Sequence, residues 1–497
     1  MIIEDVLYRF RNALKKVSLT DLKDENFIEK EIREWKASIE RANMITGEQY
    51  YKGIQDILKK KRQIINAEGK LEAIENLPNN RIVDNQYAKM VDQKTNYLVG
   101  KPVTIQCKNK DYQKILTEIF NVEFNAQLLK LGRNSLNNGK AWLQPYYNES
   151  GDFAFKIIRP YELKCNWKDD EHTKLDYAIR IYTVLEVNGQ NETYKEKVDI
   201  YVEDGVCHFD LTPGGKLIAR NPFKESYFLL NEAEPYNWNK IPLVCFKYHD
   251  NEIPLVSKLK TLQDGINTIE STFTDNMQED ARNSILILVN YDGENLAEFR
   301  KNLATYGAVK VRSDVGGSGD LKSLQVEVNS ENYKVILKLF KDAIIENAMG
   351  YDAKDDRLAG NPNQVNIKSM YNDIDMDANN METEFQLALN KLLWFVNCHL
   401  KNTGVGDFFG EQVDFIFNRD TIMNESEVIN DCMKLKGTLS DDTIIAQIPW
   451  VKDVEKEKEL LEKQKESEYN PFEVNDGKQQ LLAGQGNRTG KENSPNQ

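Results

Sequence analysis

The string "GGSGDLKS" (Gly316–Ser323) is the first place to look for chemistry, because glycines ahead of a lysine can cradle phosphates. A phosphate loop needs Gly directly before that lysine, and here Leu321 precedes Lys322. It must also join a strand to a helix, yet "SLQVEV" follows and reads as strand, so a hairpin turn is the reading. In "GRNSLNNGKAW" (Gly132–Trp142) the glycines are wrongly spaced, and Ala141 replaces the hydroxyl residue that would hold magnesium. "GVGDFFG" (Gly404–Gly410) has one residue too many for a dinucleotide fingerprint and follows no strand. No HExxH, GxSxG or kinase set occurs. Asp352, Asp355 and Asp356 lack the spacing and the Gly of a calcium loop. Asp373, Asp375 and Asp377 alternate along a helical pattern, so their carboxylates fan out. Cys207 and His208 are adjacent, and neighbours in a strand point to opposite faces, which disfavours a shared metal. Cys107, Cys165, Cys245, Cys398 and Cys432 are scattered without CxxC spacing and read as reduced thiols. The expectation is a chain with no catalytic set, no cofactor and no metal.

Composition narrows the class. With 497 residues, 40% of them hydrophobic, the chain is long enough for two to four domains. Its longest apolar run, Ile285–Val289, falls far short of the roughly 18 residues a membrane helix needs. Glu4 and Asp5 stand where a signal peptide would be basic, so a cytosolic product is expected. A formal charge of −14 argues against tight non-specific adhesion to DNA, but suits a protein that DNA slides past.

The elements that would position any site follow from periodicity. Residues up to about Leu77 read as helices. Phe27, Ile28, Ile32, Trp35 and Ile39 are at helical spacing, Gly47 is read as a stop, and "YYKGIQDILKKKRQII" as a continuation. A helix through Tyr87, Met90, Val91 and Tyr97 ends at Gly100–Pro102, and "VTIQC" is a strand. After a helix near Ala126–Asn137, the runs "GKAWLQPYY", "DFAFKII", "LDYAIRIYTV", "EKVDIYVEDGVCHFD" and "KIPLVCFKY" predict an antiparallel sheet. Leu255, Leu259, Leu262, Ile266, Ile269, Phe273 and Met277 make a near-heptad stripe on a rod about 35 Å long. A strand–helix–strand–strand insert occupies Asn283 to about Asn329, and helix returns over Asn332–Met349. Ile367, Met370, Ile374, Ala378, Met381, Phe385, Leu389, Leu392 and Val396 predict a rod on the order of 50 Å. Asn424 and Ser440 are good N-caps of short C-terminal helices, Gly437 is a stop, and from about Tyr469 the chain is too polar to order itself. The fold class is α+β, mainly α.

Five strings now carry a resemblance: "YYKGIQDILKKKR", "NRIVDNQYAKMVDQKTNYLVGKPVTI", "NNGKAWLQPYYNESGDFAFKIIRPYEL", "KIPLVCFKYHDNE" and "GNPNQVNIKSMYNDIDMDANNMETEFQLAL". In their order and spacing, from about Glu34 to Asp453, they resemble the portal proteins of tailed bacteriophages, closest to those of siphophages infecting Gram-positive bacteria. The resemblance implies a cyclic ring of about twelve subunits at one vertex of the phage head, with double-stranded DNA passing through it during packaging and ejection. It implies a wing over residues 1–254, a stem helix over 255–281, a clip over 282–329 and a second stem helix over 330–349. A tunnel loop over 350–364, a long wing helix and connection over 365–423, a helical crown over 424–468 and a disordered tail over 469–497 complete the set. Implied partners are terminase, a head-completion adaptor, a scaffold and the major capsid protein, in a virion assembled in the host cytoplasm, with no membrane.

By the same resemblance, the loop carries Tyr351, Lys354, Arg357, Asn361, Asn363, Gln364 and Lys368 towards DNA. Its cations touch phosphates briefly, its aspartates limit residence, and base readout is not needed. The clip positions Arg282, Asp292, Arg300, Lys310 and Arg312 would face docking partners. The stripe Leu259, Leu262, Ile266, Ile269 and Phe273 would pack within the stem or between copies, and its small polar opposite face would suit many copies side by side. Two rival readings stand beside this one: a nucleotide-dependent packaging enzyme using Lys322, and a head-to-tail adaptor, which is usually much shorter.

Overall fold

The computed structural model describes residues 25–65, 69–73, 77–188, 191–230, 234–280, 285–289, 313–314, 317–318, 320–324, 330–354, 364–419, 425–448, 451 and 454–468. The chain divides into two compact units, Met1–Asp352 with Tyr371–Thr421, and Ala353–Met370 with Ile422–Gln497.

The first unit begins with α1 (Glu25–Lys36) and α2 (Ile39–Tyr51). Ser38 separates them, its hydroxyl accepting from the Arg41 N–H as N-cap of α2, so Ile39 leaves the apolar stripe and is 79% exposed. Gly47 does not stop a helix. It lies inside α2, where a β-carbon would meet the Asn137 carbonyl, so its bareness permits close packing. The expected helical continuation also fails: a single 3₁₀ turn (Asp56–Lys59) leads into the hairpin β1 (Gln63–Ile65) and β2 (Leu71–Ala73). The β-branched pair Ile64–Ile65 favours the pleated conformation over a helix there.

Next come α3 (Gln86–Val99), β3 (Thr104–Cys107), α4 (Lys110–Ile119) and α5 (Val122–Asn138). Asn85, Asn109 and Asn121 cap these three helices by accepting the N–H of Ala88, Tyr112 and Phe124. Gly100 is the C-cap of α3, as expected.

The strands β4 (Lys140–Tyr147), β5 (Phe153–Ile158), β6 (Leu163–Trp167), β7 (Leu175–Asn188), β8 (Asn191–Val202), β9 (Gly205–Leu211), β10 (Leu217–Glu225), β11 (Phe228–Leu230), β12 (Glu234–Tyr236) and β13 (Val244–Lys247) follow. They form an antiparallel five-stranded sheet in the order β10-β9-β8-β7-β6, a three-stranded sheet β13-β4-β5 and a small β11-β12 hairpin. Period-two alternation gives the large sheet two buried faces. Tyr177, Ile179, Ile181, Val198 and Ile200 pack with Ile28, Ile32, Trp35 and Met44 of α1 and α2. Ala178 and Tyr201 face the other way, onto Trp142, Ile158 and Leu243. Each such fully buried aliphatic side chain contributes roughly 1.5–3 kcal/mol.

Then come α6 (Val256–Asp280), β14 (Ile285–Val289), β15 (Ser313–Asp314), β16 (Gly317–Ser318), β17 (Asp320–Leu324), α7 (Ser330–Asn347) and α8 (Gln364–Asn402). β14 pairs antiparallel with β17, and β15 with β16, which places the Gly-rich string in a hairpin. The helix expected inside this insert lies outside the described residues. Every member of the α8 stripe from Ile367 to Val396 is buried. After it, β18 (Val413–Ile416) pairs with β3.

The second unit holds the first turns of α8 and the short helices α9 (Glu425–Leu435), α10 (Asp441–Gln447) and α11 (Val454–Glu468). Ser440 caps α10 by accepting the Thr443 N–H, as expected, and Lys458 pairs with Asp442 at 2.7 Å. The expected Asn424 cap lies outside the described residues, as does the tail from residue 469.

Candidate functional site

The antiparallel helices α6 and α7 meet through the expected stripe. Leu259 and Ile266 are fully buried, while Leu262, Ile269 and Phe273 are half-buried. Phe273 packs on Tyr333 with ring centroids 4.7 Å apart, and the Phe340 ring lies where a β-carbon on Gly265 would stand. That glycine lets the two helices approach closely.

Part of the polar surface of α6 is spent within the chain, while Ser257, Thr261 and Thr268 on the face opposite the stripe stay exposed. Gln263, Asn267, Ser271 and Asp275 are fully buried by this same chain, so this row is not available to a neighbouring copy. An extended strap, residues 79–85, runs antiparallel along it, and the line of bonds continues to Tyr87 in the first turn of α3. The N–H groups of Asn80, Ile82, Asp84 and Tyr87 donate to Asp275, Ser271, Asn267 and Gln263, at 2.7, 2.9, 3.1 and 2.9 Å. From Asn80 to Asp84 the geometry explains the match: two extended residues advance about 6.6 Å, and four helical residues about 6.0 Å. Side chains thus act as a strand partner for a segment that pairs with no strand among the described residues. Lys60 anchors the end at 2.7 Å from Asp275. Burial alone would raise the Asp275 carboxyl, but the Asn80 N–H and Lys60 outweigh it and hold it below the usual range. Lys341 of α7 reaches Asp84 of the strap at 2.7 Å and Glu270 of α6 at 3.5 Å.

At the far end of α7 the chain turns towards the loop. Met349 is left-handed (φ 52), and the Gly350 N–H returns to the Ile345 carbonyl. One face of α3 receives this turn. Gln93 donates to the Tyr351 carbonyl at 2.8 Å and accepts the Tyr351 N–H at 3.1 Å. Lys94, almost wholly buried, donates to the Met349 carbonyl at 3.3 Å and to Asp377 at 2.6 Å. Burial pushes its ammonium below the ordinary lysine range, and Asp377 opposes that shift. Tyr248 completes the carboxylate, donating at 2.7 Å. Tyr351 packs on Tyr371, which stacks on Tyr97.

The remaining expected residues divide simply. Lys354 and Lys368 are exposed. Arg357, Asn361, Asn363, Arg282, Asp292, Arg300, Lys310 and Arg312, and the side chain of Gln364, lie outside the described residues. Lys322 sits inside β17, opposite Ile287, not at a strand-to-helix junction. Asp375 bonds Tyr97 and Arg419, whereas Asp377 bonds Lys94, so these carboxylates do fan out. Cys207 packs against the sheet core and His208 turns to Asp199 at 2.6 Å. Among the described residues no group of three or more His, Cys, Asp or Glu is gathered to hold a metal, and no helix is long and apolar enough to cross a membrane.

Sequence reasoning missed the strap and the α3 clamp. The four-residue polar repeat from Gln263 to Asp275 was a signal for the strap, whereas nothing in the sequence singled out Gln93.

Comparisons place this architecture. Residues 28–470 match the family model described as "Phage portal protein, SPP1 Gp6-like". The portal protein of Bacillus phage SPP1 is 28% identical over 430 residues, covering 85% of this chain and 83% of that one. The portal protein of Clostridium phage phiCD119 is 28% identical over 454 residues, covering 87% and 96%. A chain from the neck of a native GTA particle computed with C12 symmetry is similar over 73% of this chain and 90% of its own, at 12% identity and a TM-score of 0.39. A match over most of the length by one family model makes this chain a member of the SPP1 Gp6-like family of phage portal proteins.

Proposed function

We propose that the chain is the subunit of a closed ring that forms the DNA channel at one vertex of a phage head. The observation that carries this, beside family membership, is the unspent face of α7. Val335, Ile336 and Leu339 are 57%, 42% and 60% exposed on a helix whose other side is used against α6. An apolar helix face left bare in one copy is satisfied by the next copy, and head-to-tail contacts of this kind close into rings. In this reading residues 1–254 with 365–423 form the wing, α6 and α7 the stem, 282–329 the clip and 424–468 the crown. About twelve copies assemble in the host cytoplasm and enter the virion. The clip docks terminase during packaging and a head-completion adaptor afterwards, while scaffold and major capsid protein meet the ring elsewhere. The chain has no catalytic role and takes no cofactor. The loop between α7 and α8 faces DNA, with Lys354, Arg357 and Lys368 making short-lived phosphate contacts.

Imaging and mass measurement of purified protein test this. A turbine-shaped ring with an axial hole is the expected result, and a stable monomer or dimer at all concentrations refutes it. Deleting Asp352–Asn361 should leave rings intact while impairing DNA packaging or retention. Normal packaging would remove the loop's DNA role. A nucleotide-dependent enzyme gains no support from Lys322, which lies within a strand and not at the strand-to-helix junction that a phosphate loop needs. ATP turnover abolished by Lys322→Ala would reverse that judgement.

A further inference from the structure

We infer that Gln93 and Lys94 are positioning residues for the DNA-facing loop: α3 holds the chain where it enters the loop at Tyr351 and also holds the part of α8 from Tyr371 onward. The inference rests on the portal reading above. Three observations carry it. First, the entry root is a defined turn: Met349 is left-handed at φ 52, and the N–H groups of Met349 and Gly350 return to the Glu346 and Ile345 carbonyls, ending α7 at a fixed residue. Second, the residues just beyond that end are held from α3. The Gln93 amide bonds both backbone groups of Tyr351, as a neighbouring strand would, and Lys94 places a buried ammonium on the Met349 carbonyl. A cation there also meets the negative end of the α7 dipole. Third, α8 is tied to the same face. Tyr371 lies 4.5 Å from Tyr351 and 5.9 Å from Tyr97 by ring centroids, and Asp377, one turn and a half further along α8, is the Lys94 partner. Met90, Gln93, Lys94 and Tyr97 share one side of α3, so a single rigid helix fixes the end of α7 and the path of α8 together.

The test uses the full chain in assembled rings. Gln93→Met keeps the side chain's length and loses both bonds to Tyr351. It should leave ring assembly intact, speed hydrogen exchange at the Tyr351 amide and lower the DNA retained per head severalfold. In the Asp352–Asn361 deletion background the same substitution should lower retention no further. Unchanged retention with an intact loop, or an equal loss with and without the loop, overturns the inference. If the deletion alone is harmless, the loop's DNA role fails first and takes the inference with it, which distinguishes the two failures. Gln93→Glu keeps the acceptor for the Tyr351 N–H but sets a carboxylate against its carbonyl. Should both variants block ring assembly, Gln93 serves folding and not the loop, and the inference falls.

Discussion

Among single residues, Glu252 bears the heaviest electrostatic duty. Its carboxylate lies 2.6 Å from Lys140, 3.0 Å from Lys247 and 2.7 Å from His172. Burial alone would raise its pKa, but Lys140, His172 and Lys247 together hold it far below the usual range. A folded-state value below the unfolded one means stability that is full above about pH 4.3 and is lost as pH falls further through the folded value. Lys140 is nearly inaccessible; burial would lower its pKa, yet Glu40 and Glu252 hold it well above the ordinary range. Glu252→Gln therefore strands a buried ammonium with one remaining partner, Glu40, at 2.9 Å. We expect a loss of about 3 kcal/mol at pH 7, and a shallower decline of the variant's stability in acid, read by denaturant titration at several pH values. An acid profile parallel to that of the unsubstituted protein would show that Glu252 does not dominate it.

At the scale of elements, α6 is clamped from two sides: α7 covers its apolar stripe and the strap covers its polar row. Each strap bond is worth a modest amount, because folding exchanges water for protein partners. Ser271→Ala removes the acceptor of the Ile82 N–H and should cost about 1 kcal/mol, with faster hydrogen exchange at that amide. If exchange there is unaffected, the strap is not held by this row. Ile266 is a different matter, since it is completely enclosed. Ile266→Asp places an unpaired carboxylate in an apolar site, which costs several kcal/mol. Its melting temperature should drop sharply, and unaltered melting would mean that α6 and α7 are not a packed unit.

For the whole molecule, the proposed ring makes the exposed face of α7 the place where folding and assembly come apart. Leu339→Asp adds a charge where the single chain already meets solvent, so stability should change by less than about 0.5 kcal/mol. Ring formation, followed by light scattering, should fail or need far higher protein concentration, because a buried carboxylate would stand at each contact. Rings forming as readily as before would move the subunit contact elsewhere on the molecule.

Periodicity made the long elements legible. The apolar residues of α6, α7 and α8 recur at three and four, and no other conformation buries such a row on one side. Alternation likewise announced β4, β5, β7 and β8, and the quoted strings announced the family. Local strength did not reveal what joins the elements. The hairpin at Gln63–Ala73 followed a charged run that reads equally well as helix. Gly47 looked like punctuation, and its real use depends on a helix some ninety residues away. The strap, the Glu252–Lys140 cluster and the Gln93–Tyr351 clamp pair groups far apart in sequence, each individually an ordinary polar residue. Their roles exist only once the backbone brings donors and acceptors to bonding distance in a dry environment, where an unmet partner becomes costly. Periodicity of side chains is a local property that a sequence carries by itself; polar pairing across elements is decided by tertiary packing alone.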